Sequence, residues 1–210
     1  MTSFKDSTLG EFALELASDA PTPGGGSASG VALSQAGALA VMVADLTIGR
    51  ERYSDGHNAA NEAKIVGLQA MLHGHDLADR DASGYDAVVA AFKLSKDTDD
   101  EKAIRREAIA SASLAAAGPP MEIAELSLSL LETLPELARV GNQNAITDVG
   151  VSSLLASAAC RGGLFNAQIN VVGDDSEEAQ MMKTRIEKIR SACSTHSRAV
   201  MGLVNKAIEG

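Results

Sequence analysis

Apolar residues along this chain recur at helical spacing, and no stretch shows the strict alternation of a half-buried strand. The pattern predicts an all-α protein: an up-and-down bundle of about five long helices in one domain spanning residues 1–210. A first, shorter helix is capped by Ser7 and runs to about Ala17 with Phe12, Leu14 and Leu16 as its apolar residues. The second runs from about Ser27 to Ile48 and is small and apolar on nearly every side until Asp45, which predicts burial all round. After a polar break at residues 49–56, a long third helix covers about Asn58 to Leu94, with Ile65, Leu68, Leu72, Leu77, Val88 and Phe92. Thr98 and Glu101 form a capping box for a fourth helix that ends near Ala117. Gly118-Pro119-Pro120 marks a kink or a turn, with Met121 to Val140 helical beyond it and Pro135 a distortion. Segments Ala145 to Val172, rich in Ser, Ala and Gly, and Ser176 to Ile208, amphipathic, complete the bundle.

Composition sharpens this picture. The 210 residues are 45% hydrophobic but only 3% aromatic, with no Trp, so the core is built from Ala, Leu, Val, Ile and Met, which favours helices. Helices lined with Ala, Gly and Ser, as at 27–44 and 150–163, approach one another closely. Little room is then left for a ligand inside the bundle, and a site belongs at helix ends or between two copies of a homodimer. A formal charge of −10, with no basic block, argues against nucleic acid as a partner. The N-terminus lacks the basic-then-apolar layout of a leader, and no apolar run is read as membrane-spanning, so a soluble cytoplasmic protein without a membrane partner is expected. Cys160 and Cys193 read as reduced and buried, and the four histidines lack ligand spacing, so no metal is expected.

The candidate chemistry centres on Pro21-Thr-Pro-Gly-Gly-Gly-Ser27. A stiff turn delivers three glycines to a helix start whose free N–H groups suit an anion. It matches neither G-x-G-x-x-G nor a P-loop. Asp81 and Tyr85, at i and i+4, project a carboxylate and a phenol from one helix face. Lys93 and Lys96 follow, and either suits a carboxylate tail. Asp148 lies six residues after Asn142, and Asn166 and Asn170 share a face further along the same segment. Asp148 and Asn166 are roughly 27 Å apart on one continuous helix. They therefore serve different ends of a long ligand, or a second protomer completes each site.

Several stretches, in order, resemble the cyclodeaminase/cyclohydrolase family of folate enzymes. They are Pro21 to Ser27, Met42 to Gly49 with Tyr53, Asp81 with Tyr85, Lys96 with Thr98 and Glu101, and Gly141-Asn142 through Asp148 to Asn166 and Asn170. Ser95 and Pro119-Pro120-Met121 depart from the family pattern. The resemblance implies an all-helical dimer acting on a one-carbon tetrahydrofolate derivative as substrate, with no permanently bound cofactor. The activity implied is hydrolysis of 5,10-methenyltetrahydrofolate to the 10-formyl form; the alternatives are cyclodeamination of 5-formiminotetrahydrofolate and non-catalytic folate binding. The stretch from Leu46 to Tyr53 is similar to stand-alone cyclohydrolases. On this resemblance the catalytic candidates are Asp148 or Asp81 as base, Tyr85 as orienting donor, and Lys96 for proton transfer or the glutamate tail. The binding candidates are Pro23, Gly24, Gly25, Gly26, Ser27, Tyr53, Asn142, Asn166 and Asn170.

Overall fold

The computed structural model describes residues 3–210 and contains no β-strand among them. Helix α1 covers Leu9–Leu16, α2 Gly25–Ile48, α3 His57–Phe92, α4 Asp99–Ala116, α5 Gly118–Val140, α6 Ile146–Val171 and α7 Glu177–Glu209. Short 3₁₀ turns at Glu51–Gly56 and Gln143–Ala145 lead into α3 and α6. The expected caps hold at α4, where Thr98 and Glu101 form the reciprocal box. At α1 the cap is Thr8 with Glu11 rather than Ser7, because Thr8 stands three residues before the carboxylate that can answer it.

Contacts along the chain fix the register. Ser27 reaches Ala78 and Asp81, Ser34 donates to the Met71 carbonyl, and Lys64 pairs with Asp45, so α2 and α3 run antiparallel. Arg105 donates to the Phe92 carbonyl, Arg80 pairs with Glu122 and Gly56 lies against Val140. Helices α4 and α5 therefore lie end to end as one column antiparallel to α3. The Gly118-Pro119-Pro120 segment is a kink rather than a reversal. Ala117 keeps a right-handed helical backbone, and the prolines sit in the first turn of α5, where no N–H is needed. Helix α5 then continues through Pro135. Gly163 lies against Pro120 and Ala124, Ser152 donates to the Ala36 carbonyl, and Gly150 meets Val204, which sets α6 antiparallel to α5, α2 and α7. Six long helices thus occupy five up-and-down columns.

The core is a contiguous cluster in which Leu33, Ile123, Leu130, Leu134, Leu164 and Ile186 are the bulky members and alanine fills much of the rest. Its density depends on backbone contact between α2 and α3. A Cβ at Gly30 would strike Gly74, and one at Gly37 would strike Gly67 and Met71. This close approach explains one departure from the sequence pattern. Helix α3 buries Ala60, Ala63, Gly67, Ala70, Gly74, Ala78 and Ala82, and leaves Ile65 and Leu72 largely exposed. The small residues face inward because larger ones would hold the two backbones apart.

Helix α2 is also not buried all round, since Met42 and Leu46 are exposed. It does satisfy the length and hydropathy of a membrane-crossing segment, contrary to the sequence expectation. Half of that window is nonetheless packed against neighbouring helices. Cys160 and Cys193 are fully buried, free thiols. Phe4, with Val31, Ala78 and Ala82, forms a smaller satellite cluster beside the head of α2, and Phe12 of α1 packs edge-on against Phe4.

Candidate functional site

The antiparallel register brings the N-terminus of α2, the C-terminal third of α3 and the C-terminal part of α6 to one end of the bundle. A cleft of ≈ 320 Å³ opens there, walled by Pro21, Thr22, Gly24, Gly25 and Gly26 on one side and Asp81, Tyr85 and Val88 on another. Ala116 at the end of α4 and Asn166, Ile169 and Asn170 of α6 complete it. Gly24 is the N-cap of α2 and has no side chain to cap the first turn, so the leading N–H groups lack helical partners. The helix begins at Gly25, two residues earlier than the apolar pattern indicates.

What meets this helix start changes the first expectation. Rather than an open anion site, it carries the protein's own carboxylate. Asp81 sits against Gly26 so closely that a Cβ on Gly26 would collide with the carboxyl group. The Ser27 hydroxyl lies 3.4 Å from Asp81 Oδ2 and 3.3 Å from the Ala78 carbonyl. Burial pushes the Asp81 carboxyl above its ordinary range, opposed by hydrogen bonds from the Ser27 side chain and backbone. The result is a half-buried acid with enhanced proton affinity, facing a cleft with no lining cation. Such a wall suits a cationic or proton-donating ligand better than an anion.

The two asparagines stand one turn apart on α6. Asn166 Nδ2 donates to the Gly162 carbonyl at 2.9 Å and Asn170 Nδ2 to the Asn166 carbonyl at 3.0 Å. Each amide oxygen is thereby left as the acceptor for a ligand N–H group. Tyr85, 44% exposed one turn beyond Asp81, presents its phenol at the cleft mouth. Pro23 is buried behind the loop, and Ser27 acts on the cleft through Asp81 rather than by lining it.

The remaining candidates lie elsewhere. Asn142 is 4% exposed and its polar groups are engaged. Its N–H donates to Thr47 Oγ1 at 3.0 Å, its Nδ2 to the Leu46 carbonyl at 3.3 Å, and its Oδ1 accepts from the Asn144 N–H at 3.1 Å. It fastens the α5–α6 turn to the C-terminal end of α2. Half-buried Asp148, in the first turn of α6, and Tyr53, with the Arg52 guanidinium 4.6 Å from its ring centre, belong to this same end. Helix α2 separates them from the glycine loop by roughly 30 Å. Lys96 is exposed and lines a different cleft, with Asp99, Lys102, Arg105 and Arg106. Sequence reasoning gave no site role to Val88, Ala116 or Ile169, whose apolar side chains give no chemical signal. It also did not pair Ser27 with Asp81, which only the α2–α3 register reveals. Among the described residues no three His, Cys, Asp or Glu side chains gather as a metal site.

Comparison with known proteins places this geometry. The sequence model of the Formiminotransferase-cyclodeaminase family matches residues 8–188. The chain is 36% identical over 170 residues to a methenyltetrahydrofolate cyclohydrolase of Methylorubrum extorquens, covering 80% of this chain and 81% of that protein. It is 29% identical over 206 residues to the formimidoyltransferase-cyclodeaminase of Rattus norvegicus, covering 95% of this chain but 37% of that longer protein. The fold superimposes with a TM-score of 0.86 on the crystal structure of formiminotetrahydrofolate cyclodeaminase from Thermotoga maritima, at 26% identity, covering 97% of this chain and 98% of that one. A glycine-led helix start, its partner carboxylate and a match along nearly the whole bundle lead to one assignment: the chain belongs to the formiminotransferase-cyclodeaminase family.

Proposed function

We propose that the chain hydrolyses 5,10-methenyltetrahydrofolate to 10-formyltetrahydrofolate. One observation carries the reading: a desolvated carboxylate, Asp81, is held against the head of α2 in a cleft sized for a fused ring. The methenyl carbon lies between N5 and N10 in a cationic amidinium. A carboxylate beside it stabilises the cation, and raised proton affinity makes the same group a better base. Water adds to the methenyl carbon and Asp81 takes one of its protons. The C–N5 bond then breaks as the Asp81 carboxyl returns its proton to N5, which leaves as an amine, and the hydroxyl proton is lost to solvent as the formyl C=O forms. The Asn166 and Asn170 amide oxygens accept from ring N–H groups, and Tyr85 orients the water or the ring.

The test is loss of methenyl absorbance above the spontaneous rate with purified protein. An unchanged rate would overturn the reading, and protein-dependent protection of the absorbance would mark a binder without catalysis. Cyclodeamination is the second reading, favoured by the likeness to the Thermotoga maritima cyclodeaminase. It passes through the same tetrahedral carbon, with ammonia leaving in place of N5 expulsion. Ammonia release from the 5-formimino substrate separates the two.

The working unit is a homodimer in this proposal. Helix α6 carries an exposed apolar stripe of Val151, Leu154, Phe165 and Ile169, and adjacent α2 exposes Met42 and Leu46. A two-fold axis across this face would lay the Asn142–Asp148 end of one copy beside the Asn166–Asn170 end of the other, joining the two groups of candidates. Asp81→Asn and Asp148→Asn proteins, each inactive alone, then regain activity on unfolding and refolding together. Half the refolded dimers are mixed and one of their two sites is intact, so about a quarter of wild-type activity returns. Recovery of none, with a dimer present by light scattering, would show that the sites are not shared.

A further inference from the structure

Phe4 is the only buried aromatic side chain among the described residues, at 4% exposure, and it stands outside the main core. It packs on Val31, Ala78 and Ala82, with the Phe12 ring edge-on at 5.4 Å. Val31 is one turn beyond Ser27 on α2, Ala78 carries the carbonyl that the Ser27 hydroxyl meets, and Ala82 adjoins Asp81. At 3.6 residues per turn, Asp79, Ala82, Ala78 and Asp81 follow one another in that order around α3. Phe4 therefore covers one flank of the α2–α3 seam, behind the Ser27–Asp81 contact, while the cleft opens on the other. It does not line the cleft. The segment is fastened by Asp79, which accepts from the Phe4 N–H at 2.9 Å and from the Ser3 hydroxyl. Helix α1 buries none of its own residues, so Phe4 and Asp79 hold the segment in place. Nothing in the chemistry assigned to the cleft uses this anchor.

We propose that Phe4 is a positioning residue for the reaction: its ring keeps water out of the seam behind Asp81 and so holds the reacting carboxylate desolvated against the head of α2. The inference rests on Asp81 as the base of the proposed hydrolysis. Removing the ring leaves a space that Ala78 and Ala82 are too small to close. That space leads to the buried side of the Ser27–Asp81 contact, where the Ser27 hydroxyl, the Ala78 carbonyl and the carboxylate offer partners to an entering water. A hydrated carboxylate ionises more readily and is a weaker base. Few other charges act on this group. On its own helix Asp79 stands two residues back and Tyr85 one turn on, and the N-terminal segment adds Lys5 and Asp6, both exposed. The head of α2 presents glycine and Ser27, and the α4 and α6 walls present Ala116, Asn166, Ile169 and Asn170, none of which titrates. Solvent access at the rear of the seam is therefore the main control on how readily Asp81 takes a proton.

The experiment follows the Asp81 carboxyl carbon by NMR across pH, its signal assigned by its loss in Asp81→Asn, alongside kcat, KM and the acidic limb of kcat/KM for the methenyl substrate. Phe4→Ala moves both the NMR midpoint and the acidic limb to lower pH, and it cuts kcat severalfold while KM holds, since Phe4 touches no part of the cleft wall. Phe4→Leu refills most of the space and restores midpoint and limb toward wild type, with Phe4→Val between the two. Ile186→Val opens a cavity in the core at α7, away from the cleft, and lowers the melting temperature without moving midpoint or limb. If Phe4→Ala does not fold, the order wild type, Phe4→Leu, Phe4→Val carries the same test. Folded Phe4 variants whose Asp81 midpoint stays at the wild-type pH would overturn the proposal, whatever their turnover. A midpoint that falls with the ring while no protein hydrolyses the substrate upholds the seal and refutes the hydrolysis reading alone.

Discussion

Replacing Asp81 with asparagine removes the charge at the head of α2 while keeping the shape and an acceptor oxygen for Ser27. Its two consequences run in opposite directions. On the proposed mechanism, catalysis loses both the base and the carboxylate beside the amidinium; loss of a positioned base alone costs about 10²- to 10⁴-fold in rate. That corresponds to about 3–5 kcal/mol in the barrier. Stability moves the other way. Burial raises the folded carboxyl above its ordinary 3.8, so the folded state binds the Asp81 proton more tightly than the unfolded chain does. Stability therefore falls as pH rises from the ordinary value through the folded one, and above that window the ionised group destabilises the fold. Asparagine cannot ionise, so the variant melts at a higher temperature than wild type at pH 7, and the two melting temperatures converge at about pH 4 and below. Single-turnover hydrolysis and thermal melts across pH measure both effects on the same samples. A variant that hydrolyses at the wild-type rate, or that melts below wild type at pH 7, would refute the assignment of Asp81 as a desolvated catalytic carboxylate.

The remaining predictions address the support of that group and the packing that places it. Ser27→Ala removes a hydrogen bond that lowers the Asp81 pKa, so the acidic limb of the kcat/KM profile moves to higher pH; a limb that stays in place would show that Ser27 does not tune this acid. Gly37→Ala forces a methyl group against the Gly67 carbonyl and Met71 N–H, where backbone cannot yield. The expected cost is about 1–3 kcal/mol, seen as a lower urea midpoint with unchanged slope; an unchanged midpoint would show that α2 and α3 are not in backbone contact.

Helix positions were legible in the sequence because caps and breakers act locally. Thr98 with Glu101 marks the start of α4, and the break at residues 49–56 separates α2 from α3. Helix faces were less legible. Large apolar residues such as Ile65 and Leu72 are the usual markers of an inward face, yet here alanine and glycine face inward and those side chains stay outside. An interior built on close backbone approach reverses the ordinary reading of size. The site was legible as parts but not as an assembly. Gly24 to Ser27, Asp81 with Tyr85, and Asn166 with Asn170 could each be named from local spacing. Their meeting depends on the register of three antiparallel helices, and stripes of Ala, Gly and Ser look alike at several registers.

That register also links packing to chemistry. Asp81 reaches the head of α2 because Gly26 has no side chain in its way and because Gly30, one turn further along α2, and Gly74, about two turns away along α3, let the two backbones nearly touch. Were α3 held away by one methyl group, water would enter between the helices, the Ser27–Asp81 contact would lengthen, and the carboxyl would return toward its ordinary acidity. The glycines of the loop and those of the α2–α3 seam therefore act together. The first leave unpaired N–H groups at the helix start, and the second bring a carboxylate to them while excluding solvent. A substitution at Gly30 or Gly74 should accordingly lower the pH of the acidic limb as well as stability, a paired effect that a cavity or a strained core remote from Asp81 would not produce.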